Sequence, residues 1–462
     1  DLSSVLFASA ATAASSDTKS EKITDGTAMT LRLDGTYKNI GTVTYNITTG
    51  DIKAVKGSTS QTVALVVQGN DGTNDWYYSK KIDTSETINI SAIEAESYTP
   101  ASIDLSACKI WLEITEDNVS YAVNAEKEIE KINTTYVTKE QLMNSFKPYS
   151  NGTAVNYGKL VFGKKSDGTT AQEWYILGKD EGVSGDNTII FAANPIATGQ
   201  KFNSDISNKN DENLWSDCVY SEATITEVYA NHYGASELRD TLQGMATNTS
   251  YFTSAEQGLM NATTVTTKDT KNSSVTYTTT DKLYALQGDF DNNQYLWAGT
   301  DDSTVLAMSS YWRNGEWFWL RSPFDYDDID ALRAYPGIYV DSSFVRIGFA
   351  VQPASNLDLS SVLFASAATA ASSDTKSEKI TDSAAMTLRL DGTGKDIGTV
   401  TYNTTTGDIK VVKGTTSQTV ALVVQGNDGT NDWYYSKQIT GTETINASDI
   451  KSALSLTSDI DL

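Results

Sequence analysis

The chain has 462 residues, enough for two to four domains at about 100–200 residues each. Its 59 acidic and 35 basic residues give a formal net charge of −24, which argues against nucleic acid and anionic membranes as partners. No run approaches the length of about 18 apolar residues that a transmembrane helix needs, so we predict no membrane insertion within the given chain. The single histidine, His232, leaves almost nothing for a histidine metal site or a serine–histidine relay.

An internal repeat organises the chain. Residues 1–25, DLSSVLFASAATAASSDTKSEKITD, recur without change at residues 358–382. The match continues without gaps, and roughly four in five aligned positions are identical. Two copies of one domain therefore flank an unrelated middle.

The repeat has the pattern of an antiparallel β domain. We predict strands at residues 29–33, 42–45, 52–55, 62–67 and 76–82, with turns at 46–50 and 71–74. Residues 91–96 and 448–454 are predicted to form one helical turn each. Short strands at this spacing favour a sandwich of the immunoglobulin-like type.

The two copies differ in extent. The first continues into two predicted strands, residues 109–115 and 119–123, which have no counterpart before Leu462. A sandwich without these strands exposes an apolar groove and unpaired sheet edges. Three outcomes follow: the native chain continues as a tandem array, the second copy is frayed, or a strand from another chain fills the gap and builds a filament. The near-identity of the copies favours the first outcome.

The middle region combines strands and helices. We predict a connector at residues 133–148 with a short helix at 139–143, a hairpin of strands 160–162 and 173–177, and a strand at 188–192. Helices are predicted at 236–244, with Ser236 as the N-cap, and at 254–260. The threonine-rich residues 264–280 are expected to form an exposed loop, and residues 281–286 a strand.

The last part of the middle region resembles a family of bacterial surface proteins. The matching features are WLRSP at residues 319–323, the spaced Ala331, Leu332, Gly337, Val340, Val345 and Gly348, and the closing VQPA at 351–354. The resemblance implies a C-type-lectin-like fold related to formylglycine-generating enzymes, and several members of the family are variable proteins of diversity-generating retroelements. Gln352 stands where the family usually has arginine, so a core ion pair or hydrogen bond is expected to be lost.

The retroelement hypothesis agrees with the residue types present. Such elements mutate template adenines, which converts AAY codons to NNY codons, and these cannot encode Lys, Glu, Gln, Met or Trp. Residues 324–351 contain none of the five. The segment is rich in Tyr, Asp, Ser and Arg, which is typical of a binding surface made of rigid aromatic anchors and adaptable polar groups.

We therefore predict a ligand-binding surface in this segment. Its residues are Phe324, Asp325, Tyr326, Asp327, Asp328, Ile329, Asp330, Arg333, Tyr335, Tyr339, Asp341, Ser342, Ser343, Phe344 and Arg346. They are expected to form one contiguous exposed surface, with Ala331, Leu332, Val340 and Val345 buried beneath it. Alternative interpretations are a solvated acidic loop, a calcium site at residues 325–330, and a core role for the aromatic residues.

The other conspicuous side chains have structural interpretations. Tyr311, Trp312, Trp317, Phe318 and Trp319 are predicted to belong mainly to the core, and Arg321 to be a buried structural guanidinium. Cys108 and Cys218 are expected to be free thiols. The catalytic cysteines of formylglycine-generating enzymes and the sugar-binding tripeptides of calcium-dependent lectins have no counterpart here, so we predict neither an enzyme, a cofactor nor a bound metal.

Together these features predict a mainly β protein with a mixed α+β middle domain. The domains are an immunoglobulin-like sandwich (1–132), a connector (133–148), a C-type-lectin-like domain (149–357) and a second immunoglobulin-like sandwich (358–462). We expect an extracellular protein, on a bacterial cell surface or secreted, that binds an unknown protein or glycan or acts in adhesion. The alternative is a structural stalk, or a filament subunit that self-associates by strand exchange between sandwiches.

Overall fold

The computed structural model shows a mainly β protein. It describes residues 4–24, 26–46, 50–127, 130–131, 134–145, 155–221, 225–272, 275–290, 295–300, 305–307, 316–335, 339–381, 384–429 and 431–456. The chain divides into two compact units, Asp1–Glu130 and Lys131–Leu462.

The first unit is built from strands and one short helix. They are β1 (Val5–Ser9), β2 (Thr18–Ile23), β3 (Thr30–Asp34), β4 (Gly41–Asn46), β5 (Asp51–Lys56), β6 (Val63–Asn70), β7 (Asp75–Ile82), β8 (Ser85–Asn89), α1 (Ile90–Glu94), β9 (Lys109–Glu116), β10 (Val119–Asn124) and β11 (Glu126–Lys127). The strands predicted for the first copy are confirmed, each within a few residues. The tight turn between β9 and β10 uses Asp117 and Asn118 at positive φ, a conformation that these short polar residues tolerate.

Two sheets of the first unit enclose a core. One sheet has the order β1-β3-β10-β9-β6-β7-β2 and the other the order β11-β4-β5-β8. Because side chains alternate along a strand, β9 sends Ile110, Leu112 and Ile114 into this core. Its other face carries Trp111 and Glu113, which are buried as well.

That other face is covered by the N-terminal segment. Ala11 packs there with Trp111 and Ala122 in a small second core. Arg32 connects the N-terminal segment to the large sheet. Its guanidinium donates to the carbonyls of Ser9 and Ala11 and to the Glu113 carboxylate. The hairpin β9–β10 is therefore part of both cores.

A short strand, β12 (Glu130–Lys131), lies at the boundary between the two units. The first elements of the second unit follow in chain order. They are β13 (Tyr136–Thr138), α2 (Lys139–Asn144), β14 (Val155–Asn156), β15 (Lys159–Lys164), β16 (Ala171–Gly178), β17 (Asn187–Ala192), β18 (Ala197–Lys201), β19 (Val219–Tyr220), α3 (Glu237–Thr247), α4 (Ser254–Leu259), β20 (Thr263–Asp269), β21 (Val275–Asp281), β22 (Gln287–Gly288), β23 (Tyr295–Trp297), β24 (Val305–Ala307), β25 (Phe318–Pro323), β26 (Asp330–Tyr335), β27 (Tyr339–Phe344), β28 (Gly348–Val351) and β29 (Ala354–Asp358).

Two sheets and two helices organise this middle region. The sheets have the orders β15-β16-β17-β29 and β18-β28-β25-β26-β27. One cluster of buried residues joins them to α3, including Trp174, Leu242 and Trp319. The predicted hairpin around residue 168 and the predicted helices are confirmed, and the Ser236 hydroxyl accepts the Arg239 amide as the N-cap of α3.

Two predictions for this region are wrong. Residues 264–280 form the hairpin β20–β21 instead of a loop, with strictly alternating buried and exposed positions. Threonine is β-branched and suits a half-buried strand, so alternation rather than polarity decides the structure here. Residues 282–286, expected to belong to a strand, make only the single bridge of Tyr284 with Ala354 among the described residues, although residues 283–286 are buried.

The second repeat copy completes the second unit. Its elements are β30 (Val362–Ser366), β31 (Thr375–Ile380), β32 (Thr387–Leu390), β33 (Gly398–Asn403), β34 (Asp408–Lys413), β35 (Val420–Asn427), β36 (Asp432–Ile439), β37 (Thr442–Asn446) and α5 (Ala447–Leu454). They form three small sheets, with orders β31-β36-β35, β33-β34-β37 and β13-β30-β32. The large sheet of the first copy is thus divided in two, and β13 of the predicted connector joins one part.

Candidate functional site

The candidate residues lie on a loop and a hairpin at the edge of the five-stranded sheet. Residues 324–330 form the loop between β25 and β26, and β27 is the outermost strand of the sheet. In the hairpin, Asp330 pairs with Phe344 and Arg333 with Asp341. The site therefore rests on the WLRSP strand, β25.

The WLRSP residues hold this strand in place. The Trp319 indole donates to the carbonyl of Gln200 at 2.8 Å, and the Ser322 hydroxyl accepts the amide of Gly288 at 3.0 Å. The Arg321 guanidinium is 2% exposed and donates to the carbonyl of Ala285 and the side chain of Gln287. Arg321 is thus a buried structural residue, as expected from the sequence.

Burial separates scaffold from candidate positions. Ala331, Leu332, Val340 and Val345 are all buried, which confirms that expectation. Asp325, Tyr326, Asp327, Asp328 and Arg346 are exposed, whereas Phe324, Ile329, Asp330, Arg333, Tyr335, Asp341, Ser342, Ser343 and Phe344 are half-buried. The side chain of Tyr339, together with Gly337, Tyr311 and Trp312, lies outside the described residues.

The strand pairing sorts the hairpin residues onto two faces. Asp330, Ser342 and Phe344 share one face, and the Ser342 hydroxyl donates to the Asp330 carboxylate at 3.4 Å. Arg333 and Asp341 lie on the other. The expected single surface is therefore wrong for the hairpin, because neighbours along a strand point in opposite directions.

The first face continues into the loop, and we call the two together the loop face: residues 324–330, Ser342, Phe344 and Arg346. The amide of Phe324 donates to the carbonyl of Asp330, which closes the loop. The Phe324 ring contacts Tyr326 at 5.3 Å between centroids, and Tyr326 is 72% exposed. The Arg346 guanidinium lies 4.8 Å from the Phe344 ring centroid.

The buried side chain of Asn231 holds the loop, and no pattern in the sequence indicates this role. Its side-chain amide donates to the carbonyls of Asp327 and Asp330, both at 2.9 Å, and its oxygen accepts the Thr270 hydroxyl. Asn231 is almost fully buried. An exposed, acidic loop is thereby fixed by a buried side chain from a distant part of the chain.

Charge in the loop is only partly neutralised. Lys268 lies 2.6 Å from the Asp325 carboxylate in an exposed ion pair. Burial raises the pKa of Asp330 above its usual value, and the negative charge of Asp327 raises it further. Among the described residues, no group of three or more histidine, cysteine, aspartate or glutamate side chains is arranged to hold a metal ion.

The opposite face of the hairpin is internally paired. Arg333 donates to the Asp341 carboxylate at 2.8 Å, and its guanidinium lies 3.9 Å from the Trp317 ring centroid. Tyr335 also contacts Trp317, which is half-buried rather than part of the core. Phe318 and Trp319 are core residues, as expected. We therefore regard the Arg333 face as support for the hairpin.

Gly348 and Gln352 are two scaffold positions whose surroundings constrain their side chains. Gly348 is exposed, but a β-carbon on it would lie 2.8 Å from the carbonyl oxygen of Gly199, so the close approach of two strands requires glycine. Gln352 is buried and donates to the carbonyl of Ala192, whereas its side-chain oxygen has no partner among the described residues. The buried Gln352 side chain is thus only partly hydrogen-bonded within the described structure.

His232 is buried in a structural network, and the two cysteines of the chain are half-buried. His232 accepts the amide of Ala235 at Nδ1, so its proton lies on Nε2, which donates to the Tyr220 hydroxyl at 2.9 Å. Burial lowers the pKa of His232 to about 3, which keeps the ring neutral. Cys108 and Cys218 are free thiols, and burial raises their pKa values to about 11 and about 12.

Comparisons with protein-family models, curated proteins and solved structures found no match. In the described part of the chain, no helix combines the length and apolar character needed to cross a bilayer. The geometry of the loop face therefore remains the guide to function.

Proposed function

We propose that the middle region is a ligand-binding domain that presents the loop face to a protein or glycan. In this proposal the domain is a C-type-lectin-like scaffold, the repeat copies are immunoglobulin-like spacers, and the protein acts in adhesion outside a bacterial cell. The loop-face positions are diversified, and the buried positions of the same strands are kept constant.

The observation that supports this proposal is the arrangement of exposed residues over a fixed scaffold. Tyr326 is mostly exposed, yet Asn231 fixes the loop in which it lies. A pre-ordered loop loses little conformational entropy when it binds, which favours affinity. Ala331, Leu332, Val340 and Val345 of the same segment are buried, so the exposed positions can change without loss of the core.

Two display libraries of the full chain test the proposal. One carries NNY codons at Phe324, Asp325, Tyr326, Asp327, Asp328, Ser342, Phe344 and Arg346, and the matched control carries them at Ala331, Leu332, Val340 and Val345. We expect most members of the first library and few of the second to resist protease. Selection against hen egg-white lysozyme as an arbitrary protein probe should then enrich binders from the first library.

The opposite result would overturn the proposal. If both libraries lose protease resistance to the same extent, the loop face is part of the folded core and not a variable surface. If the first library is stable but yields no binder, the loop face is a solvated surface without a binding role. A reverse-transcriptase gene and a near-identical template repeat beside the gene would independently support diversification.

A further inference from the structure

Three aromatic rings from two separate segments meet at the loop face. The Phe324 ring contacts Tyr326 and also Phe290, with ring centroids 5.3 Å and 4.9 Å apart and both pairs edge to face. Tyr326 is 72% exposed and Phe290 is 39% exposed. We call the three rings the aromatic platform. Because Phe290 lies outside residues 324–351, the apolar contact area extends beyond the segment in which the site was predicted.

Unneutralised carboxylates follow this platform directly in the chain. Asp327 and Asp328 come after Tyr326 and are exposed, and neither forms an ion pair in the part of the chain that the structure describes. Lys271, whose positive charge interacts with Asp328, is paired with Glu227 at 2.9 Å. The aromatic platform therefore lies next to negative charge that no ion pair among these residues neutralises.

Elsewhere in the protein the same residue types surround a cation. On the opposite face of the hairpin, the Arg333 guanidinium lies 3.9 Å from the Trp317 ring centroid and donates to the Asp341 carboxylate at 2.8 Å. In the first unit, Lys38 has the same surroundings, with the Tyr121 ring centroid at 4.6 Å and a glutamate carboxylate at 2.6 Å. The loop face presents the ring and the carboxylates of this arrangement to solvent.

We infer that the partner of the loop face, whose binding role is the proposed function on which this inference rests, is a protein surface that presents a lysine or arginine side chain. The cation would lie against the Tyr326 ring beside the carboxylates of Asp327 and Asp328. The negative face of an aromatic ring attracts a cation, and both basic side chains have an apolar stem that packs well on aromatic rings. Phe290 and Phe324 supply further apolar contact area for the neighbours of that side chain.

Charge favours a protein partner over a glycan. A neutral glycan would cover Asp327 and Asp328 without supplying a counter-charge, although removing carboxylates from water is costly when they remain unpaired. An anionic glycan would be repelled by them and by the net charge of −24. A basic protein surface is instead attracted over a distance, which raises its association rate and selects against acidic competitors.

The test is a selection of phage-displayed random peptides on the full 462-residue chain. Peptides that also bind the Tyr326→Ser chain are removed first, because this variant keeps every charge and lacks the exposed ring. The remaining peptides depend on the loop face. We expect them to share a lysine or arginine with apolar neighbours, at a frequency well above that of the unselected library.

A matched pair of double variants measures the role of the carboxylates in fluorescence anisotropy with the best labelled peptide. Asp327→Asn with Asp328→Asn should weaken binding about tenfold or more. Glu212→Gln with Asp240→Asn removes the same charge from exposed positions outside the loop face and should change affinity less than about twofold. Changing the basic residue of the peptide to glutamine should weaken its binding to the wild-type chain about tenfold, and its binding to the Asp327→Asn, Asp328→Asn chain much less.

The opposite results separate this inference from the proposed function. Peptides that require Tyr326 but share no basic residue would overturn the inference and leave the proposed function standing. Equal losses in the two double variants would also overturn it, because affinity would then follow net charge rather than the loop face. If no peptide requires Tyr326, the inference fails, and a glycan microarray probed with the wild-type and Tyr326→Ser chains decides the rest. A glycan that requires Tyr326 would support the proposed function, whereas no such glycan would count against both.

Discussion

Arg32 and Glu113 form an ion pair in which each side chain is only 2% exposed. The guanidinium also donates to three main-chain carbonyls, those of Ser9, Thr30 and Ala11, and the carboxylate also accepts from Trp111. Burying a charge costs desolvation free energy, and these additional hydrogen bonds help to offset that cost for both side chains. The pair joins the N-terminal segment to the hairpin β9–β10.

Replacing one partner should therefore be costly. We expect Glu113→Gln to lower the free energy of unfolding of the first unit by about 3–5 kcal/mol, because Arg32 is left buried without a counter-charge. Hydrogen exchange of the β9 amides, which occur only in the first copy, measures this loss. The double variant Arg32→Met with Glu113→Leu serves as the control and should recover most of it. A loss below about 1 kcal/mol in the single variant would show that the pair is solvated.

His232 should make the second unit sensitive to acid. Its pKa is about 3 in the folded protein and near 6.5 when unfolded, so the unfolded state binds the proton more readily. The contribution to stability is complete above pH 6.5 and falls by about 1.4 kcal/mol per pH unit as the pH drops toward 3. Denaturant unfolding at a series of pH values between 7 and 4 measures this dependence.

The matched variant is His232→Gln, which keeps a hydrogen-bonding side chain but does not titrate in this range. It should be less stable than the wild type at pH 7 and should lose less stability on acidification. If the two proteins show parallel pH profiles, carboxylates such as Asp217, whose pKa is lowered by its hydrogen bond to the Arg239 guanidinium, dominate the acid response instead.

Asn231 should control the order of the candidate binding loop. Asn231→Ala removes two hydrogen bonds to the carbonyls of Asp327 and Asp330 and leaves buried polar groups unpaired, which costs about 1–3 kcal/mol. We expect faster hydrogen exchange in residues 324–330, with little change in β15 and β16. Asn231→Asp should behave similarly, because a carboxylate cannot donate to carbonyl oxygens. Unchanged exchange in the loop would show that Phe324 and Asp330 close it unaided.

Exposed and buried positions of the site should respond differently to truncation. Tyr326→Ala should change stability by less than about 0.5 kcal/mol, because its ring is mostly in solvent. Leu332→Ala, only six residues away, removes a buried side chain and should cost about 2–5 kcal/mol. Thermal unfolding of the two variants under the same conditions measures this difference in stability. Equal losses would mean that Tyr326 packs against the domain.

Local signals in the sequence predicted the main strands of the first unit, although β1, β2 and β8 were missed. The Asp117–Asn118 turn, the Ser236 cap and the alternation of residues 109–115 each depend on neighbours in the chain, and each is present in the structure. The threonine hairpin β20–β21 was missed because polar composition was given more weight than its period of two. Its buried threonines show that alternation was the better guide.

The candidate site was predicted less well, for a physical reason. Composition identified the exposed loop but not Asn231, which lies far from the loop in sequence and shows no distinctive spacing. Asp330 and Arg333 lie on opposite faces of the hairpin. Predicting this requires the strand register, which the sequence alone does not specify. The aromatic character of Trp317 predicted a core position, whereas its half-buried ring stacks with the Arg333 guanidinium.

The order of synthesis delays the completion of the first unit. On the ribosome, β1 to β8 are made before β9 and β10, although the late hairpin occupies the centre of the large sheet. Until the hairpin emerges, β3 and β6 have no strands between them, and the apolar side chains that Ile110, Leu112 and Ile114 cover remain in water. The nascent first unit therefore carries an open apolar surface until its last hairpin is made, which favours aggregation.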